Sequence, residues 1–174
     1  SDLGHESVVR TLIEAGADVN KAKDDSWSPL HIAVRLGHES VVRMLIEAGA
    51  DVNKAENDNW SLLHMAAQGG AESVVRMLIE AGADVNKTTV EGSTPLYIAS
   101  SMGHESVVRM LIEAGADVNK ATNDNWYDSW SPLHIAAEQS RESVVRTLIE
   151  AGADVNKTTE DRCTPLYIAA QEGH

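Results

Sequence analysis

The chain has no phenylalanine and only one cysteine, Cys163, in 174 residues. A lone cysteine excludes an intrachain disulfide, and with it a small fold stapled by bridges. No apolar run approaches the roughly 20 residues needed to cross a bilayer. The opening stretch Ser1-Asp2-Leu3-Gly4-His5-Glu6 is acidic and poor in apolar residues, unlike a secretory leader. The expected location is intracellular or cytoplasmic for a natural protein. Basic residues are also scarce: 14 Lys and Arg stand against 27 Asp and Glu, a net charge of −13 and a pI near 4.8. That field repels phosphate backbones and anionic lipid, so nucleic acid and membrane surfaces are poor partners. The length suits one ordinary domain. Four Trp are present in place of Phe. A core of Leu, Ile, Val and Ala leaves these large rings for another use.

What is present is a repeat. The string HESVVRxLIEAGADVNK, or a close copy, begins at His5, His38, Ala71, His104 and Arg141. A second string, [ST]-[PL]-L-[HY]-[IM]-A, places its fourth residue at His31, His64, Tyr97, His134 and Tyr167, spaced 33, 33, 37 and 33. The period is 33 residues, with four inserted before His134. Each period predicts two short helices. Ser28 is the N-cap of the first, Pro29 its first residue and Gly37 its end. The second spans about Glu39 to Ala48, with an apolar stripe of Val41, Val42, Leu45 and Ile46. Glu39, Arg43 and Glu47 lie four apart on its outer face, where opposite charges support one another modestly. Gly49 suits the left-handed conformation past the helix end. A polar hairpin-like stretch, Lys54 to Trp60, leads to the next N-cap.

One such unit cannot bury both faces of its helices, whereas stacked copies share a continuous core. The period and the strings Ser28-Pro29-Leu30-His31-Ile32-Ala33 and Gly49-Ala50-Asp51-Val52-Asn53 resemble the ankyrin repeat over nearly the whole chain. The resemblance implies an all-α solenoid of helix pairs joined by β-hairpin loops, with a concave groove of hairpin tips and first helices that binds proteins. A single domain is expected over 1–174. It comprises a half unit at 1–22, full units at about 23–55, 56–88, 89–121 and 122–158, and a half unit at 159–174. Departures stand out at the hairpin turn, where the family places Gly and positive φ is wanted. Only Gly92 obeys. Its counterparts are Ser26, Asn59, Arg162 and, in the insertion, Asn125 or Ser129. Asn tolerates that conformation fairly well, Ser less and Arg poorly. Leu62 replaces the helix-opening Pro. These choices imply a local stability cost and either altered hairpin shapes or selection for something besides stability.

The copies divide into a constant frame and a variable surface. The second helix is almost letter-identical, changing mainly among Thr11, Met44, Met77, Met110 and Thr147. The hairpins vary freely, as do the ends of the first helices. The candidate protein-binding residues are therefore Asp25, Trp27, Arg35 and Leu36; Asp58, Trp60 and Gln68; Glu91, Ser93, Ser101 and Met102; Asp124, Trp126, Tyr127, Asp128, Trp130, Glu138 and Gln139; and Arg162 and Cys163. By the resemblance, all line the concave side. Two origins fit a uniform frame under a varied surface: an engineered or laboratory-selected binder, and a natural recognition array with homogenised repeats. In the insertion, Asn123-Asp124-Asn125-Trp126 repeats residues 57–60, and residues 128–136 repeat 25–33 letter for letter. Two hairpin tips are fused there through Tyr127.

Each candidate chemistry has a bland alternative. A Trp ring buries roughly 150–250 Å², a gross gain of about 4–6 kcal/mol at about 25 cal/mol/Å². Such rings are common binding anchors, but they also brace neighbouring hairpins. The tip position accepts Ser93 and Cys163, which argues against a bracing requirement. His31, His64 and His134 recur once per unit and alternate with Tyr97 and Tyr167. A metal-ligand position would not accept Tyr, and no zinc spacing occurs; no metal or cofactor is expected. In the family this His makes hydrogen bonds between neighbouring units. Cys163 has no base and orienting group around it in the pattern that nucleophilic catalysis needs, so no enzyme is expected. From its first Glu to its Lys, each copy carries two Glu, one Asp, one Arg and one Lys. Five copies account for −5, leaving −8 on the termini, hairpins and first helices. The expected partner is a protein with a polar or basic patch and apolar pockets. The alternative is a repeat scaffold, spacer or stability model with no specific target. The outermost helices should expose Val8, Leu12, Ile13, Leu166 and Ile168. Three accounts fit such ends: a longer array, fraying helices, or head-to-tail pairing of copies.

Overall fold

A computed structural model of the protein describes residues 3–23, 27–56, 58–123 and 129–174, with side chains from residue 6 onward. Among them are ten α-helices: α1 Leu3–Glu14, α2 Pro29–Leu36, α3 Glu39–Glu47, α4 Leu62–Gly69, α5 Glu72–Glu80, α6 Pro95–Met102, α7 Glu105–Glu113, α8 Pro132–Glu138, α9 Glu142–Glu150 and α10 Pro165–Glu172. The fold is an all-α repeat solenoid. The chain forms two compact units, Ser1–Ala83 with α1–α5 and Asp84–His174 with α6–α10. In the first, α2 packs on α3 and α4, α4 on α5, and α3 on both α1 and α5. In the second, α6 packs on α7 and α8, α9 on α7 and α8, and α8 on α10.

The helix ends follow from local chemistry. Ser28 is an extended N-cap, φ −86° and ψ 166°, and Pro29 opens α2 without losing a needed N–H. Gly37 closes α2 at φ 70°, its N–H donating to Val34 O (3.1 Å) while the His38 N–H donates to Ala33 O (2.9 Å). That closure folds the chain back so that α3 lies on α2. Of the stripe predicted on α3, Val42 and Leu45 are buried, and Val41 and Ile46 are half-buried. The core of each unit is mostly leucine: Leu30, Leu62, Leu63 and Leu78 in the first, and Leu96, Leu111, Leu133 and Leu148 in the second. Each contributes about 1.5–3 kcal/mol of burial.

The hairpin loops carry little regular pairing: the described residues contain a single antiparallel bridge, Ala55–Ser61. Backbone bonds close the hairpins, as from the Glu56 N–H to Trp60 O (3.1 Å) or the Thr89 N–H to Ser93 O (3.0 Å). Leu62 is wholly buried at the start of α4, and Ser61 caps the helix. One expectation needs correction: Ile168 is buried at 6% exposure, unlike Val8, Leu12 and Leu166. Its helix packs on α8, whose own Ile135 is buried at 4% exposure with α6 and α10 as neighbours. Ile13 is half-buried.

The described non-glycine residues at the hairpin turns share one backbone conformation. Asn59 (φ 58°), Ser129 (φ 62°) and Arg162 (φ 63°) adopt the left-handed conformation of Gly92 (φ 78°). The Asn59 and Arg162 N–H groups make the same turn bond as Gly92, to Glu56 O and Thr159 O, each 3.0 Å, and the Ser129 N–H closes the longer loop on Thr122 O (3.0 Å). Ser129, rather than Asn125, therefore takes the glycine place in the insertion; Asn125 and Ser26 lie outside the described residues. The unfavourable residues bear conformational strain and do not reshape the turn.

Candidate protein-binding surface

Two side-chain ladders hold the hairpins in place. In the first, Asn20 Nδ2 donates to Gly49 O (3.2 Å) and accepts the Asp51 N–H at Oδ1 (2.8 Å). Asn86 does the same with Gly115 O (3.1 Å) and Asp117 N–H (2.8 Å), and Asn119 with Gly152 O (3.4 Å) and Asp154 N–H (2.9 Å). Each Asn is itself set by an Asx turn, such as the Asn86 N–H on Asp84 Oδ1 (2.9 Å). A carboxamide offers a donor and an acceptor side by side, so one side chain clamps the loop of the next copy at two points.

The second ladder uses histidine. The N–H groups of Ser28, Ser61 and Ser131 donate to Nδ1 of His31 (3.3 Å), His64 (3.2 Å) and His134 (3.1 Å). With Nδ1 accepting, the proton is assigned to Nε2. His134 Nε2 then donates to Cys163 O (3.2 Å) and ties one hairpin to the next copy. All three rings are buried. Burial chiefly lowers the pKa of His31, and the Lys54 ammonium adds to this; the Lys54 carbonyl and Asp51 act the other way. Burial also dominates the lowering at His134, against the Cys163 and Lys157 carbonyls and Asp154. Where Tyr replaces His, Thr replaces Ser: the Tyr97 and Tyr167 N–H groups donate to Oγ1 of Thr94 (3.1 Å) and Thr164 (3.2 Å). The phenol cannot offer an acceptor at the place of Nδ1, and the threonine hydroxyl makes the cap that Ser61 also makes with the His64 N–H (3.4 Å).

On this frame sit the candidate residues. Trp27, Trp60 and Trp130 are half-buried. Each ring tilts against the helix-opening His of its own copy, at centroid distances of 6.0, 5.2 and 5.9 Å. The structure brings Trp27 and Arg35 together, the guanidinium lying 4.2 Å over the indole, a cation–π contact worth about 0.5–1 kcal/mol at an exposed site. Arg35, Leu36, Asp58, Gln68, Glu91, Met102, Gln139 and Arg162 are exposed, Ser101, Glu138 and Cys163 half-buried, and Ser93 buried with its N–H on Thr89 Oγ1 (3.2 Å). Asp25, Asp124, Trp126, Tyr127 and Asp128 lie outside the described residues. Two neighbouring tips touch in the second unit, where the Asn123 N–H donates to Glu91 O (3.0 Å). Among the described residues, no three His, Cys, Asp or Glu are grouped to hold a metal ion. No described helix is long and apolar enough to cross a membrane.

The repeat geometry and the family comparison coincide. A family model described as ankyrin repeats in three copies matches residues 1–56 and 53–122, and another, ankyrin repeats in many copies, matches 133–174. The chain belongs to the ankyrin-repeat family. No curated protein matches it. Ankyrin repeats are generally non-catalytic protein–protein interaction modules, and protein partners follow from that.

Several features of this ankyrin-repeat chain escape a reading of its sequence. The Asn ladder had a signal, since Asn20, Asn53, Asn86, Asn119 and Asn156 are the same letter in every copy, but its partners lie about 30 residues away. Ser140 stands where other copies place Gly37, Gly70, Gly103 and Gly173, and it adopts φ 55°. Arg141 replaces the His or Ala of other copies and reaches back, Nε donating to Ser101 O (3.1 Å) at the end of α6. A cation at that helix end is favoured by the helix dipole. Exposed Ile32 and Val90 add apolar surface near the candidate residues.

Proposed function

We propose that the chain recognises a protein partner through its variable hairpin tips and first helices, without catalysis. The observation that carries this reading is the contrast between frame and surface. The core leucines Leu30, Leu63, Leu96 and Leu133 and the clamping Asn positions keep their letter from copy to copy, while exposed Arg35, Leu36, Gln68, Met102 and Gln139 at the ends of α2, α4, α6 and α8 change freely. The half-buried indoles of Trp27, Trp60 and Trp130, steadied by their His neighbours, supply anchors with little side-chain entropy left to lose. Exposed Ile32, Leu36 and Met102 add apolar contact. Asp58 and Glu91 at exposed tips favour a partner whose apolar pockets are rimmed by polar or basic groups. The tilted stacking of each Trp on a buried His also favours a second reading, in which the rings brace a scaffold with no specific target.

Photo-crosslinking residues placed one at a time separate the two. Positions 36, 68 and 102 should crosslink to a defined partner protein, and positions 43, 76 and 109 on the second helices should not. Crosslinking from both sets alike, or from neither, would refute the surface assignment. Trp27→Ala and Trp130→Ala should weaken binding more than they lower the urea midpoint. Rising salt should slow association with the partner.

A further inference from the structure

We propose that the groove between α7 and α9 binds one carboxylate of a partner protein, an Asp or Glu side chain that docks on Arg141. The inference rests on the reading that the ends of α6 and α8 face the partner. The groove has a volume of about 640 Å³, and its lining includes Gly103, Arg109, Arg141 and Arg146, with Glu105 and Glu142 among them. In a chain of net charge −13 this place has the opposite sign, because three arginines stand against two glutamates. Arg109 donates from Nε and Nη2 to Glu105 Oε1 (3.2 and 2.7 Å), and Arg146 from Nη2 to Glu142 Oε1 (2.9 Å). Arg141 has no ion-pair partner among the described residues. The positive charge left over is therefore its own.

The Arg141 side chain is already held in place. Its Nε donates to Ser101 O (3.1 Å), which leaves both Nη groups for a ligand. It crosses Gly103 so closely that a Cβ there would stand 2.8 Å from Arg141 Cδ, whereas a Cβ at the matching Gly37 would meet nothing within 4 Å. The free edge of a guanidinium matches two carboxylate oxygens. Other copies place His38, Ala71 and His104 at this position, so the site belongs to one copy alone. A carboxylate neutralises the single excess charge. A phosphate monoester, at about −1.5 to −2, would leave the groove negative and meet repulsion from Glu105 and Glu142. Exposed Met102 follows Ser101, and exposed Gln139 lies two residues before Arg141, so a partner that touches them has the guanidinium within reach. Because the chain as a whole is acidic, only a partner that brings its acid to this one place gains by it.

The test uses a displayed library of random peptides, selected on the 174-residue chain. The recovered peptides should share an Asp or Glu at one position. Changing that acid to its amide should weaken binding about three- to fivefold, the scale of an exposed ion pair. Arg141→His brings in the residue that the fold accepts at His38 and His104, so its urea midpoint should stay close to the parent's. On that variant, at about pH 8 where an imidazole is neutral, the peptide acid and its amide should bind equally. Peptides with no shared acid would overturn the inference, as would an acid whose loss costs as much on Arg141→His as on the parent. Crosslinking of those same peptides from position 102 would then leave the surface reading standing. Tighter binding with phosphoserine in place of the acid would overturn the carboxylate assignment in favour of a phosphate. A library that yields no binder would overturn both readings.

Discussion

Replacing Asn86 by Ala removes one clamp between successive copies and leaves the rest of the frame intact. Two bonds are lost, from Nδ2 to Gly115 O (3.1 Å) and from the Asp117 N–H to Oδ1 (2.8 Å). A net bond of this kind contributes about 0.5–1.5 kcal/mol. Both partners are exposed and can turn to water, so the lower half of the range applies and the expected loss is about 1–2 kcal/mol. For a chain of this length that lowers Tm by about 2–4 °C per kcal/mol. Asn156 is a built-in control. Its N–H bonds Asp154 Oδ1 (2.9 Å) in the same Asx turn, but no described residue clamps its side chain. Asn156→Ala should stay within about 0.5 kcal/mol of the parent. Urea unfolding with an unchanged slope measures both variants, and faster hydrogen exchange at the Asp117 amide localises the damage. Equal losses from Asn86→Ala and Asn156→Ala would refute the reasoning, because the effect would then reside in the local turn and not between copies.

Three further outcomes follow from the structure. Ser140→Gly and Arg162→Gly relieve left-handed conformations at φ 55° and 63°; each should gain about 0.5–1 kcal/mol in urea unfolding, the relief of strain less the extra chain entropy of Gly. Gly92→Ala should lose about 1–3 kcal/mol, because its Cβ would lie 2.2 Å from Asn123 Oδ1 and 2.8 Å from the Asn123 backbone N at φ 78°. His31 and His134 are held neutral in the folded state, with pKa values below the ordinary 6.5. The unfolded chain then binds more protons below that pH, so stability is full above it and falls as pH drops toward the lowered values. The slope is at most about 1.4 kcal/mol per pH unit for each ring. His134→Gln should flatten that slope in a series of urea titrations, and an unchanged slope would count against the assignment.

The repeat and the family were legible because one string recurs at a fixed spacing, and periodicity survives without knowledge of contacts. The N-caps Ser28 and Ser131 and the closing Gly37 were legible for the same reason: a cap acts within a few residues of itself. The positions free to vary were also visible, since copies of one unit act as an internal comparison. Partners far apart in the chain were not visible. Asn86 finds Gly115, His134 finds Cys163 and Arg141 finds Ser101, each at 29 to 40 residues' separation. No local pattern encodes which group will stand opposite. Burial was undecidable for identical letters. Ile135 is sealed between neighbours while Ile32 on α2 is 38% exposed, and Leu12 is open where Leu111 is closed. The sequence determined the unit, its helices and its caps, because these depend on near neighbours. The tertiary structure alone decided which faces of equivalent helices are covered and which stay open, because burial belongs to the stack and not to the residue.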